Sequence, residues 1–169
     1  HALLEPGTEI AYEVFKLDMV SSQGIPLKNI PAVKLNNGND NVTVSNEDFT
    51  FVINKSKGLP TSFIYKGEEL LVGEIKPNFW RAPTLNDDVD HNALPKWLNA
   101  NLNDLTIVPT NIKADRVNNS KAVVTVMLDF NNDKGETILS TEQIYEINGY
   151  GDVVISNNIG NEYGTPIIV

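Results

Sequence analysis

Asp48 to Leu71 reads DFTFVINKSKGLPTSFIYKGEELL, two apolar runs rich in β-branched and aromatic residues on either side of NKSKGLP. Gly58 takes a positive φ at low cost and Pro60 stiffens the return, so this stretch predicts a β-hairpin. The rest of the chain repeats the same pattern. Upstream, TEIAYEVFKL (8–17) sets Ile10, Tyr12, Val14 and Lys16 on one face against Glu9, Ala11, Glu13 and Phe15 on the other, the alternation of a strand. Downstream, DLTIVPTNIKADRV, KAVVTVMLDFN, ETILSTEQIYEIN and DVVISNNIGN are each bounded by turn residues such as NNSK, NDKG and NGYGD. Breaks roughly every 10–15 residues suit an antiparallel sandwich better than a parallel α/β sheet. Only NALPKWLNANL has helical spacing, with Leu94, Trp97, Leu98 and Leu102 on about one face. The expected fold is therefore an all-β antiparallel sandwich with one short helix.

Composition limits what such a fold can do. At 169 residues and 41% hydrophobic, the chain has apolar surface for one ordinary core. A formal charge of −9 and a pI near 4.6 disfavour nucleic acid and anionic lipid as partners, since both need clustered Lys and Arg. No apolar run approaches the roughly 20 residues of a membrane-spanning helix, so no membrane partner is expected. The opening HALLEPGTEI lacks the basic and apolar regions of a signal peptide. Without cysteine there is no disulfide framework and no thiolate chemistry, but this assigns no compartment, and cytoplasm and periplasm both remain open. Asparagine is frequent, and the sequons at Asn41, Asn54 and Asn118 carry little weight in that background.

The segment with the most chemical content is NFWRAPTLNDDVDHN, residues 78–92. Asp88, Asp90 and Asn92 have the spacing that opens a calcium loop, but Ala93 stands where that loop turns on glycine and Asn99 where it needs a bidentate glutamate. A transition metal would have His91 with Asp87 or Asp88 and no thiolate, a poor ligand set. The blander reading is a solvated acidic turn capping the helix after it, and no metal is expected. Glu68 and Glu69 are adjacent, so in a strand they point to opposite faces and make a poor acid/base pair. There is no GxSxG and no glycine-rich phosphate cradle after a strand. Taken alone, the residues announce no enzyme. Arg81, between Trp80 and Pro83, is expected to be partly buried and to need acceptors, with Asn86 and Asp87 nearby. Phe79 and Trp80 are expected on alternate faces of a strand, one of them in the core.

PNFWRAPTLNDD, preceded by the 48–71 hairpin and by PGTEIAYEVFKL, resembles the large multidomain β-galactosidases of glycoside hydrolase family 2. The matching positions are Gly7, Glu9, Ala11, Phe15 and Leu17, then Gly58 and Leu59, then Trp80 to Asp87, and Trp97. Their order and approximate spacing hold over nearly the whole chain. The resemblance implies that residues 1–20 end an immunoglobulin-like fourth domain, that 21–43, with Gly24, Pro26, Pro31 and Gly38, are a connector, and that 44–169 begin the C-terminal sandwich, part of a galactose-mutarotase-like supersandwich. It also implies that both catalytic glutamates lie in a (β/α)₈ barrel, which takes about 250 residues and is not contained here.

On this reading the chain holds no catalytic residue and no cofactor. It contributes a substrate-proximal loop, Asn86, Asp87, Asp88, Asp90 and His91, braced by Trp80, Arg81 and Pro83. Its partners would be the remaining domains of the parent enzyme, above all the barrel, and indirectly a galactoside. The tryptophan that stacks on galactose in this family lies beyond Val169, so neither Trp80 nor Trp97 inherits that role. Two positions depart from the family: Leu85 replaces an aspartate, and Val89 stands near a glycine that lets the loop move. A stand-alone carbohydrate-binding or adhesion module is the rival reading, because a sandwich supports both. Strands left without neighbours predict self-association through exposed edges.

Overall fold

The computed structural model describes residues 29–85, 87 and 93–160. Two antiparallel meanders pack face to face. The first sheet is β1 (Lys34–Asn37), β2 (Asn41–Ser45), β3 (Phe49–Asn54), β4 (Leu59–Tyr65) and β5 (Glu68–Glu69), in sequential order. The second is β6 (Thr106–Asn118), β7 (Lys121–Asn131), β8 (Thr137–Asn148) and β9 (Val153–Gly160), also sequential. In sequence between the two sheets, the described residues include the short helix α1 (Ala93–Asn99). The all-β sandwich read from the sequence is the fold observed.

Period-two alternation builds the core. In β2 and β3 every second residue is buried: Val42, Val44, Phe49, Phe51 and Ile53, with Val42 opposite Ile53 and Val44 opposite Phe51. In β7 and β8 the buried set is Ala122, Val124, Val126, Leu128 and Phe130 opposite Ile147, Tyr145, Gln143, Thr141 and Leu139. One apolar cluster spans both sheets. Phe51 reaches Phe63 edge-on within its own sheet, at 5.6 Å between centroids, and Tyr145 of the other sheet at 6.1 Å.

The hairpin forms where Asp48–Leu71 predicts it. Gly58 closes the β3–β4 turn at φ 66°, its amide donating to the Asn54 carbonyl at 2.8 Å. Pro60 pairs with Ile53 where the register shifts by a bulge, which suits a residue with no N–H to give the ladder. Lys66 and Gly67 both have positive φ, the two-residue hairpin geometry that matches strand twist, and they return the chain into β5.

The abundance of asparagine has a structural reason. Asn46, Asn54, Asn118, Asn132 and Asn148 each use Oδ1 to accept a backbone N–H two to four residues on, closing the chain at a strand end. Two of the three sequons, Asn54 and Asn118, are thus turn residues.

In three places the sequence reading needs correction. The C-terminal part of the segment read as a connector is already sandwich: Val33 is buried, and Lys34–Asn37 pair with Val42–Ser45 of β2, from Lys34 opposite Ser45 to Asn37 opposite Val42. Four residues with one half-buried side chain are too few to show a period. Second, no strand forms over 70–84, so Phe79 and Trp80 do not sit on one. Third, the helix stops at Asn99, and Leu98, expected on its apolar face, is half exposed. The terminal strand of a preceding domain, expected over 1–20, lies outside the described residues.

Candidate functional site

The stretch from β5 to β6 carries the chain from one sheet to the other, and the arginine-bearing segment lies within it. Phe79 points into the sandwich, edge-on to Phe130 at 5.0 Å. Trp80 turns the other way, joining a second, smaller cluster of Ala93, Trp97, Leu102 and Ile138. The expectation that adjacent aromatics would serve opposite sides therefore holds, although without a strand to impose it. Asn78 fixes the local backbone instead, donating from Nδ2 to the Trp80 carbonyl at 2.7 Å and accepting its amide at 3.2 Å.

Trp80 and Trp97 meet edge to face at 6.1 Å, and the Arg81 guanidinium lies over the Trp97 ring at 5.2 Å. Arg81 also makes a two-pronged pair with Asp87, Nη1 to Oδ2 at 2.8 Å and Nη2 to Oδ1 at 2.7 Å. The same carboxylate accepts the Thr84 amide at 2.6 Å and the Thr84 hydroxyl at 2.9 Å. Four donors on one buried carboxylate hold it well below the usual carboxylate range, the Arg81 hydrogen bonds contributing most and the Thr84 amide next. Arg81 is pushed up in turn by its bonds to Asp87. The acceptor sought for Arg81 is thus Asp87.

The helix behind this pair is held by its C-terminus. Asn101 adopts a left-handed conformation at φ 57°, its amide donates to the Leu98 carbonyl and that of Leu102 to the Trp97 carbonyl, both at 3.0 Å. These two bonds make a Schellman motif, and its usual apolar contact is the packing of Leu102 against Trp97 in the second cluster. The cap thereby positions the ring on which Arg81 lies. Trp97 Nε1 is buried with no hydrogen-bond partner among the described residues.

Of the residues singled out from the sequence, Trp80, Arg81 and Asp87 converge on this brace. Pro83 is exposed, and a proline there fixes its own φ and disfavours a helical conformation at Ala82. Leu85 is 82% exposed. Asn86, Asp88, Asp90 and His91, with Val89, lie outside the described residues. Thr84 and the Asn101–Leu102 cap were not picked out from the sequence. Thr84 precedes Asp87 by three residues, a spacing found at helix starts, and Leu85 and Asp87 do have helical backbone.

Residues 45–168 match the family described as β-galactosidase small chain. Among curated proteins, a β-galactosidase of Priestia megaterium is 35% identical over 98 residues, 57% of this chain and 10% of that protein. One from Psychromonas ingrahamii is 28% identical over 148 residues, 80% of this chain and 14% of the relative. A third, from Halalkalibacterium halodurans, is 31% identical over 86 residues, 49% of this chain and 8% of its own length. The chain therefore spans only about a tenth of the curated relatives it matches. With the family match covering the sandwich and its arginine-braced turn, the chain belongs to the β-galactosidase small-chain family.

Proposed function

We propose that this chain is a non-catalytic sandwich portion of a β-galactosidase of glycoside hydrolase family 2, whose parent enzyme hydrolyses terminal β-D-galactosides. The catalytic carboxylates belong to a barrel outside the chain, and retaining hydrolysis through a glycosyl-enzyme intermediate takes place there. The sandwich supplies a rigid wall, and the segment after Asp87 is the loop it presents toward the sugar pocket. Residues 1–20 would end a preceding domain and 44–169 would open the C-terminal one, with the sheet itself reaching back to Lys34.

One observation carries this reading: the Arg81–Asp87 pair, within the family-matched region, fixes both ends of a short turn directly before the acidic segment. Asp87 has all its bonds inside the turn, so it serves the brace rather than the sugar. A guanidinium held between a tryptophan face and a carboxylate keeps the turn in one shape, and the next residues then leave it in a defined direction.

Four measurements test the proposal. The isolated chain should release no nitrophenol from nitrophenyl β-galactoside, and calorimetric titration with lactose or galactose should give no heat of binding. Millimolar or tighter affinity would favour the stand-alone carbohydrate-binding module instead. Grafting this chain in place of the matched segment of the Priestia megaterium enzyme should preserve galactosidase activity. In that chimera Arg81→Lys, which keeps the charge but loses the fork, should raise KM several-fold with little change in kcat. An unchanged KM would remove the loop from the pocket.

A further inference from the structure

Two asparagines in the chain are followed by glycine, Asn37–Gly38 and Asn148–Gly149. In such a pair the glycine nitrogen can swing onto the asparagine Cγ, because no Cβ stands in its way. The fold treats the two pairs differently.

Asn148 closes the β8–β9 turn with both ends of its carboxamide engaged. Oδ1 accepts the amides of Tyr150 at 2.8 Å and Asp152 at 3.2 Å, and Nδ2 donates to Asp152 Oδ2 at 2.9 Å. Gly149 is buried and wedged among three other segments. Its amide donates to the Ser120 carbonyl at 3.0 Å, its carbonyl accepts Asn46 Nδ2 at 2.7 Å, and a Cβ on it would lie 2.6 Å from the Pro31 carbonyl carbon. Bringing the Gly149 nitrogen to the Asn148 Cγ means parting the β2–β3 turn, the β6–β7 turn and the chain at Pro31 together. An opening of that extent approaches global unfolding.

Asn37 is the last residue of the four-residue β1. It is exposed, and its carboxamide makes no hydrogen bond among the described residues. The Gly38 amide is held by one bond, to the Asn41 carbonyl at 3.0 Å inside the same hairpin. Ends of short strands open at low free energy, so this nitrogen is released without disturbing the core.

We propose that Asn37 is a site of spontaneous covalent modification, an intramolecular deamidation with water as the only co-reactant, and that the packing of Gly149 protects Asn148 from the same reaction. The Gly38 nitrogen forms a bond to the Asn37 Cγ as the Cγ–Nδ2 bond breaks, and the amide group leaves with the Gly38 proton as ammonia. Water then adds to either carbonyl of the five-membered imide, and the C–N bond at that carbon opens to give aspartate or isoaspartate. Nothing is oxidised or reduced. Either product replaces a neutral amide with a carboxylate in a chain already at −9. The isoaspartyl product also adds a methylene to the main chain where β1 turns into β2, which puts Asn37 out of register with Val42.

This inference is independent of the parent-enzyme reading, which is tested by catalysis and sugar binding. The full chain is incubated in mildly alkaline buffer and mapped by peptide mass spectrometry, with and without urea. In the folded chain Asn37 should convert at least about tenfold faster than Asn148. In urea the two pairs should convert at similar rates, because the following residue is the same. Gly38→Ala should slow conversion at residue 37 many-fold while leaving the circular dichroism spectrum unchanged, since a Cβ there meets only the Asn41 carbonyl oxygen, at 3.4 Å. Conversion of Asn148 as fast as Asn37 in the folded chain overturns the proposal. So does a folded chain that keeps Asn37 intact while the unfolded chain loses it, a bias that persists in urea, or a Gly38→Ala chain that converts as fast as wild type.

Discussion

At the scale of the residue, Asp87 and Gly58 each do something that their residue type alone does not reveal. Asp87 has a folded-state pKa depressed below its unfolded value of about 3.9, so its ionisation favours the folded chain above that pH. That contribution is lost as pH falls from about 4 toward the folded value. Asp87→Asn should therefore be less stable than wild type at neutral pH by urea denaturation, with the gap constant above about pH 5 and narrowing below about pH 4. The carboxyl carbon shift of Asp87 should titrate well below the usual aspartate range, and a midpoint near 3.9 would deny the four-donor arrangement. Gly58 combines a left-handed φ with a close approach, since a Cβ there would lie 2.5 Å from Leu128 Cδ2 and 2.8 Å from Pro109 Cβ. Gly58→Ala should cost about 2 kcal/mol or more, from both backbone and overpacking. Gly67→Ala, with φ 89° and nothing within 4 Å, should cost only about 1 kcal/mol from the backbone. Equal losses at the two sites would mean that Gly58 is not packed between the sheets.

Among the elements, the helix is the least self-sufficient, because seven residues cannot hold a helix by propensity alone. Its order comes from the Asn101 cap and from Leu102 and Trp97 packing together. Leu102→Ala should cost about 2–4 kcal/mol by loss of buried methyls and cavity formation. It should also speed amide exchange over 96–102 more than over β7. Arg81 would lose its ring platform as Trp97 loosens, so the Asp87 carboxyl shift should move toward that of an ordinary aspartate in the same variant. No movement of that shift would separate the helix from the brace. The strands differ from the helix in this respect, for their alternation is visible in each segment by itself. VVTVMLDF and TFVI show it directly, whereas β1 shows one half-buried leucine and is recognised only once β2 lies beside it.

Over the whole molecule the two sheets form one cooperative unit, since the main cluster draws on both and Phe51 touches Tyr145 across the interface. Phe51→Ala should cost about 3–5 kcal/mol, a large part of the 5–15 kcal/mol typical of a domain. Its unfolding should remain two-state, with far-UV circular dichroism and tryptophan fluorescence falling together. That comparison is informative because Trp80 and Trp97 sit in the second cluster, away from Phe51. Separate transitions would show the smaller cluster to be an independent unit. The sequence by itself determined the all-β class, the hairpin turning on Gly58 and the positions of β6 to β9, because alternation and turn chemistry are local and act within a few residues. Only the tertiary structure decided that Asp87 is the acceptor for Arg81, that Asn101 ends the helix and that β1 belongs to the sheet. Each of these depends on which surfaces meet, and a pairing between surfaces is fixed by the burial of both partners rather than by the sequence of either.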